Sequence, residues 1–258
     1  MQEKLQTKTN EGEGKVCLMA EIPYLSAPHD EYLNGETCYN CYQFREENNV
    51  ICPNCSQVYY CSKQCQEEDW FSGPHERECE VFRNLTTEEN KEMHSDESGS
   101  VQCDVRMIGR LLVKKLRDQG FSAPSDFAGF PEGFTQRRLG GLLTHYEEID
   151  EGRVRLKWEL FKKTFMKYDK FYQDVTFPQF KGYVGLIRTN CFGILKSSIY
   201  REDTSMGKGL YLQFSRFNHT CGIPDLTSFW LARILVMRPS NLNLQITSEN
   251  LDKLQIDY

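Results

Sequence analysis

Nowhere in the 258 residues do about 18 apolar residues follow one another, so no membrane-spanning helix is expected. Positive charge is in deficit: 31 Lys and Arg against 37 Asp and Glu leave a formal net charge of −6. A general nucleic-acid surface requires clustered positive charge, and nucleic acid is therefore not an expected partner. The opening stretch, MQEKLQTKTNEGEGK, lacks an apolar core and a small-residue cleavage site, so it does not read as a signal peptide. No internal repeat is present. These absences point to a soluble monomer in a reducing compartment, cytoplasm or nucleus. What is present suffices for a packed core, with 39% hydrophobic and 12% aromatic residues, in one large domain or two small ones.

The chain is organised around residues 38–79. Eight candidate metal ligands fall there in four pairs: Cys38 and Cys41, Cys52 and Cys55, Cys61 and Cys65, His75 and Cys79. Pairs two or three residues apart aim two side chains at one ion, and zinc takes four such ligands in a tetrahedron. Eight ligands imply two closed structural Zn2+ sites with no open position for catalysis. Spacing leaves the pairing open: Cys38, Cys41, Cys52 and Cys55 could share one ion, or Cys38, Cys41, Cys61 and Cys65 could. A disulfide framework is the competing reading, but it belongs to secreted chains.

The order CxxC, CxxC, YCxxxC, Trp and HxxxC, with Tyr60, Asp69 and Trp70, resembles a MYND zinc finger. That resemblance implies the cross-braced pairing, with Cys52, Cys55, His75 and Cys79 at the second ion. Of the remaining cysteines, Cys17, Cys103 and Cys191 read as small buried hydrophobes.

Elsewhere the pattern predicts elements. VCLMAEI at 16–22 reads as a strand. Residues 80–100 begin helical and become a linker at TTEENKEMHSDESGS, where His94 reads as solvated. Residues 101–119 carry Val105, Ile108, Leu111, Leu112 and Leu116 at helical steps. Residues 120–134 read as a loop, and 136–149 and 152–174 as helices, the aromatic stripe of the second as core. After Lys181, glycines punctuate short apolar runs, and 226–237 and 254–258 have strand composition.

Late in the chain Asn190-Cys191-Phe192, Gly209-Leu210-Tyr211, Ser215 to Cys221 (with Asn218-His219) and Ile256-Asp257-Tyr258 occur in that order. The succession resembles the SET-and-MYND family of protein lysine methyltransferases, in which a finger and a helical insert interrupt a SET domain. The resemblance implies an α+β fold: a β-rich SET-like core interrupted by a two-zinc MYND finger and a helical insert. The expected division is a SET remnant at 1–37, the finger at 38–79, linker and insert at 80–180, and the SET core at 181–258. It further implies S-adenosylmethionine as methyl donor, contacted by Asn190, Asn218 and His219, with Tyr258 lining a lysine channel and a protein lysine as substrate. Methyl transfer to a neutral amine demands alignment and desolvation more than acid–base chemistry.

Departures from the family predict weak or absent catalysis. Gly12-Glu13-Gly14 is not equivalent to the family's GRG-like donor contact. Thr220 and Asp225 replace the usual serine and asparagine, and the proline is shifted. No cysteine-rich post-SET segment follows Tyr258, so Cys221 has no partners for a third zinc. The alternative reading is a non-catalytic interaction module, whose finger binds proline-containing peptides through Tyr59, Tyr60, Trp70 and Phe71.

Overall fold

Residues 20–29, 33, 35–43, 49–93, 101–118, 127–128, 136–195 and 205–216 are described by a computed structural model. The short strand β1 (Ala20–Glu21) pairs with β5 (Phe127–Ala128), and β2 (Leu25–Pro28) follows β1. The finger supplies the hairpin β3 (Val50–Ile51) and β4 (Tyr59–Tyr60), then α1 (Lys63–Phe71) and α2 (His75–Asn84). Helices α3 (Thr87–Met93), α4 (Val101–Arg117), α5 (Glu151–Phe161) and α6 (Phe177–Asn190) come next. Strands β6 (Cys191–Leu195) and β7 (Ser205–Leu210) follow, and a 3₁₀ turn at Phe214–Arg216 ends the described part. The architecture is α+β.

One sheet joins the two ends of this series. Its order is β2-β7-β6, antiparallel throughout, with Leu25 opposite Leu210 and Pro28 opposite Gly207. A strand before the finger is thus completed by one after the helical insert, as the resemblance implied. Helix α4 packs against β2, α5 and α6, and residues Cys103, Val105, Met107, Ile108, Leu111 and Val113 are buried. Asp104 in its first turn and Lys114, Lys115 and Arg117 in its last complement the helix dipole. Leu116, counted in the expected apolar stripe, is instead 61% exposed. Two arginines of the same helix, Arg106 and Arg110, are buried.

Local structure departs from expectation in four places. Thr87–Met93, expected to be linker, is helical, because Thr86 and Glu89 form a capping box: the Thr86 amide donates to Glu89 Oε2 (2.9 Å) and the Glu89 amide to Thr86 Oγ1 (3.3 Å). Lys167 and Tyr168 then hold Glu89 at 2.6 and 2.5 Å. Residues 136–149, expected to be one helix, form only two 3₁₀ turns, Leu139–Gly141 and Tyr146–Glu148. Two glycines lower helical propensity there, and the backbone of Arg137 is claimed by the side-chain amide of Gln213 through bonds of 2.8 and 2.9 Å. Helix α5 runs into a π-turn at Lys162–Met166, where Thr164 Oγ1 donates back to the Leu160 carbonyl (2.7 Å). Finally, α6 continues through the glycines at 182 and 185, where strand-like texture was expected to begin. A capping box between Thr176 and Gln179 starts it. The predicted strands at 226–237 and 254–258 lie outside the described residues.

Glycine at 109 is a packing requirement. A Cβ there would stand 2.3 Å from the Phe165 ring, which stacks on Phe161 at 5.4 Å. At Gly182 a Cβ would meet only Tyr146, at 4.0 Å. One substitution therefore has opposite signs on two helices. Gly109→Ala is expected to destabilise by about 1–3 kcal/mol, and Gly182→Ala to stabilise by up to about 1 kcal/mol. Urea unfolding of both variants measures this.

Candidate metal centre

The hairpin β3–β4 and helices α1 and α2 carry the ligands, and helix capping fixes where they point. Ser62 caps α1 by accepting from the Cys65 amide (3.2 Å), which turns Cys65 back toward Cys61. His75 opens α2, and Cys79 stands one turn on, on the same face.

Four-residue groups form from these pairs. Cys38, Cys41, Cys61 and Cys65 are one; Cys52, Cys55, His75 and Cys79 are the other; all eight are buried, with ligand atoms within 4.8 Å of one another in each group. This is the cross-braced pairing, and the sequential alternative is excluded. The Cys41–Cys61 and Cys61–Cys65 sulfurs are 3.5 Å apart, Cys52–Cys79 3.7 Å, and Cys55 Sγ lies 3.8 Å from His75 Nε2. A zinc tetrahedron with Zn–S near 2.3 Å has edges of about 3.8 Å. None of the seven is in a disulfide, whose sulfurs would sit about 2.0 Å apart. Hydrogen bonding from Cys79, then from His75, holds the Cys55 thiol down, while the same contact pushes the Cys79 thiol up. Both sets fit zinc by donor type, burial and spacing, and with four protein ligands each leaves no position for substrate.

Behind the second set lies a buried network that the spacing did not reveal. His75 Nδ1 is 3.3 Å from Glu78 Oε2, while Tyr39 donates to Glu78 Oε1 at 2.8 Å. Arg110, from α4, donates to Glu78 at 2.7 Å and to Asp69 at 2.8 Å, and Tyr60 donates to the other Asp69 oxygen at 3.0 Å. The Arg110 guanidinium also lies 4.8 Å over the Tyr39 ring. Arg110 is 4% exposed and Glu78 fully buried. Burial opposes ionisation of Glu78, but Arg110 and His75 outweigh it and hold the carboxyl below its usual range. One turn earlier, Arg106 donates to the carbonyls of Pro28 (2.6 Å) and Met93 (3.4 Å). At the far end Arg117 bonds the carbonyls of Trp70, Phe71 and Gly73. Three arginines of α4 thus hold the finger and β2. An arginine inside an apolar stripe was the available signal for them.

The candidate donor contacts divide. Asn190 ends α6, fully buried, and its amide donates to the Leu143 and Leu186 carbonyls at 2.7 Å each. Beside it, Thr144, His145, Glu148, Ile149, Arg188 and Thr189 line a depression of about 220 Å³. His145 holds φ +44°, a left-handed conformation uncommon outside glycine and more accessible to histidine and asparagine than to most residues. Three contacts fix that segment on α6: the Asn190 bond, a Thr144 carbonyl seated where a Cβ on Gly185 would be 2.2 Å away, and Lys181 Nζ 4.4 Å over the Tyr146 ring. Asn218, His219, Cys221 and Tyr258 lie outside the described residues.

Removing Arg110 leaves two buried carboxylates without their cation. Arg110→Met is expected to cost about 3–5 kcal/mol, and Arg106→Met, which strips bonds from two carbonyls, about 1–3 kcal/mol. Guanidinium unfolding of the zinc-loaded variants ranks them; equal losses would place the finger–helix link elsewhere.

Residues 38–79 match the family model of the MYND finger. The chain is 22% identical over 221 residues to histone-lysine N-methyltransferase ASHR1 of Arabidopsis thaliana, covering 86% of this chain and 41% of that protein. It is 24% identical over 191 residues to N-lysine methyltransferase SMYD2-B of Xenopus laevis, covering 72% and 37%. To N-lysine methyltransferase SMYD2-A of Danio rerio it is 24% identical over 225 residues, covering 85% and 45%. The chain spans less than half the length of these relatives. Residues 38–79 thus match a MYND finger in both ligand spacing and cross-braced geometry, and most of the chain is similar to proteins named as lysine methyltransferases.

Proposed function

We propose that this chain carries the donor-binding part of an S-adenosylmethionine-dependent protein-lysine N-methyltransferase, with the finger as a metal-held brace. The supporting observation is the β2-β7-β6 sheet. In it Cys191 stands opposite Leu210 and Phe192 opposite Gly209, so two of the segments that carry the resemblance are paired in register, the first of them beginning at the donor-contact candidate Asn190. Asn190 leads into that pairing and directly follows Arg188 and Thr189, which line the depression with residues of 144–149.

The lining suits the donor's polar groups. Arg188 and the hydroxyls of Thr144 and Thr189 match a carboxylate or ribose, Glu148 an ammonium, and Ile149 an apolar face. Bound there, the donor would supply a methyl on a sulfonium sulfur. The chain's contribution is positional: Asn190 fixes the rim through Leu143, and the clamped 144–149 segment presents His145. Asn218 and His219 remain assigned to the donor, and Tyr258 to the lysine channel, on the resemblance.

A second reading has one observation in its favour. Phe71 is 74% exposed at the end of α1, beside the half-buried Trp70. In this reading the finger binds a proline-containing peptide there. Tyr60 takes no part, being fully buried with its hydroxyl on Asp69. Trp70 packs edge-on against His75 at 6.0 Å, so Phe71 is the cleaner probe.

Calorimetric titration of the folded chain with S-adenosylmethionine, zinc content measured on the same sample, tests the first reading; no heat of binding removes it. His145→Asn keeps a residue that tolerates the left-handed backbone. It is expected to weaken donor binding about tenfold, with stability changed by no more than about 0.5 kcal/mol. For the second reading, Phe71→Ser is expected to abolish capture of proline-rich peptides on an array while leaving donor binding intact.

A further inference from the structure

The two metal sets differ in what stands behind them. Around Cys38, Cys41, Cys61 and Cys65 the neighbours are uncharged: Cys41 N donates to Cys38 Sγ at 3.5 Å, and the Ser62 hydroxyl accepts from the Cys65 amide. Behind Cys52, Cys55, His75 and Cys79 stands an ionised side chain. Glu78 Oε2 is shared between His75 Nδ1 at 3.3 Å and Arg110 at 2.7 Å, and Oε1 accepts from Tyr39. His75 turns its other nitrogen, Nε2, toward Cys55 at 3.8 Å. A neutral imidazole has one proton. With Nε2 directed at the thiolate set and Nδ1 at a carboxylate, that proton belongs on Nδ1, and the Nε2 lone pair is free for the metal. Rings surround the imidazole: Tyr39 at 6.0 Å, Tyr60 at 5.9 Å and Trp70 at 6.0 Å. They exclude water from the carboxylate bond and prevent the ring from turning.

We infer that Glu78 is the positioning residue of the second metal site: it fixes the tautomer and orientation of His75 and joins that ligand to helix α4 by a direct chain of bonds, His75 to Glu78 to Arg110. The two ions are then unequal in origin of hold. One depends on its own four sulfurs. The other depends also on a carboxylate that belongs equally to the contact between finger and insert.

The inference does not involve methyl transfer, and its readouts are spectroscopic. The full chain is loaded with cadmium-113, which gives separate resonances for a four-sulfur and a three-sulfur, one-nitrogen site. Glu78→Gln is expected to shift the second resonance and leave the first in place. It should also speed chelator-driven release of the second ion by about 10- to 100-fold. Asp69→Asn removes a carboxylate that Arg110 also holds but that does not bond His75. It is expected to lower stability without moving either resonance. Equal effects of Glu78→Gln on both resonances, no effect on either, or the same shift from Asp69→Asn would each overturn the assignment. In the wild-type chain, which needs no variant to fold, a slowly exchanging His75 Nδ1–H proton is expected, and a rapidly exchanging one would also overturn it.

Discussion

The guanidinium of Arg110, closed between Asp69 and Glu78, is the contact on which the rest depends. It is a charge inside the protein and would be costly alone. It is tolerated because two carboxylates and the Tyr39 ring surround it, and because those carboxylates are bonded in turn by Tyr60, Tyr39 and His75. Each member satisfies another, so the network is complete or it fails as a unit. The metal sites therefore do more than fold 42 residues of finger. They place Asp69 and Glu78 so that α4 has a partner.

Helix α4 passes that order onward. Arg106 binds β2 through Pro28, and β2 is the edge to which β7 and β6 are added. On its opposite side, α4 packs on α5 and α6, with Gly109 receiving Phe165. Helix α6 delivers Arg188 and Thr189 to the depression, and its last residue, Asn190, holds the preceding segment through the Leu143 carbonyl. Finger, sheet and depression are thus linked by one helix, with the metal-ligand sets on one side of it and a polar concavity on the other.

Much of this was legible in the residues. Paired cysteines announce their chemistry because metal geometry tolerates few spacings, and an apolar period such as that of α4 survives any context. Which pairs share an ion was not in the spacing; the fold decides it by bringing Cys61 and Cys65 to Cys38 and Cys41. Arg106 and Arg110 look like solvated charges until their acceptors appear, and those lie 78 and 41 residues or fewer away in sequence, on β2 and α1. The helix expected at 136–149 failed for a similar reason: Gln213, far along the chain, takes Arg137's backbone groups. The left-handed His145 follows from α6 packing, which no local pattern encodes.

The pairing of β2 with β7 sets a timetable for the nascent chain. On the order of 180 residues separate the two strands, which at ~5–20 residues per second is roughly 10–40 s of synthesis. During that interval β2 has an unsatisfied edge. The finger, made next and closed by short-range metal bonds, can fold at once. With α4 soon following, Arg106 can bind the Pro28 carbonyl long before Gly207 emerges. A domain cut in two by an insertion would ordinarily leave its first strand exposed to other chains; here the insertion itself chaperones the fragment it separates.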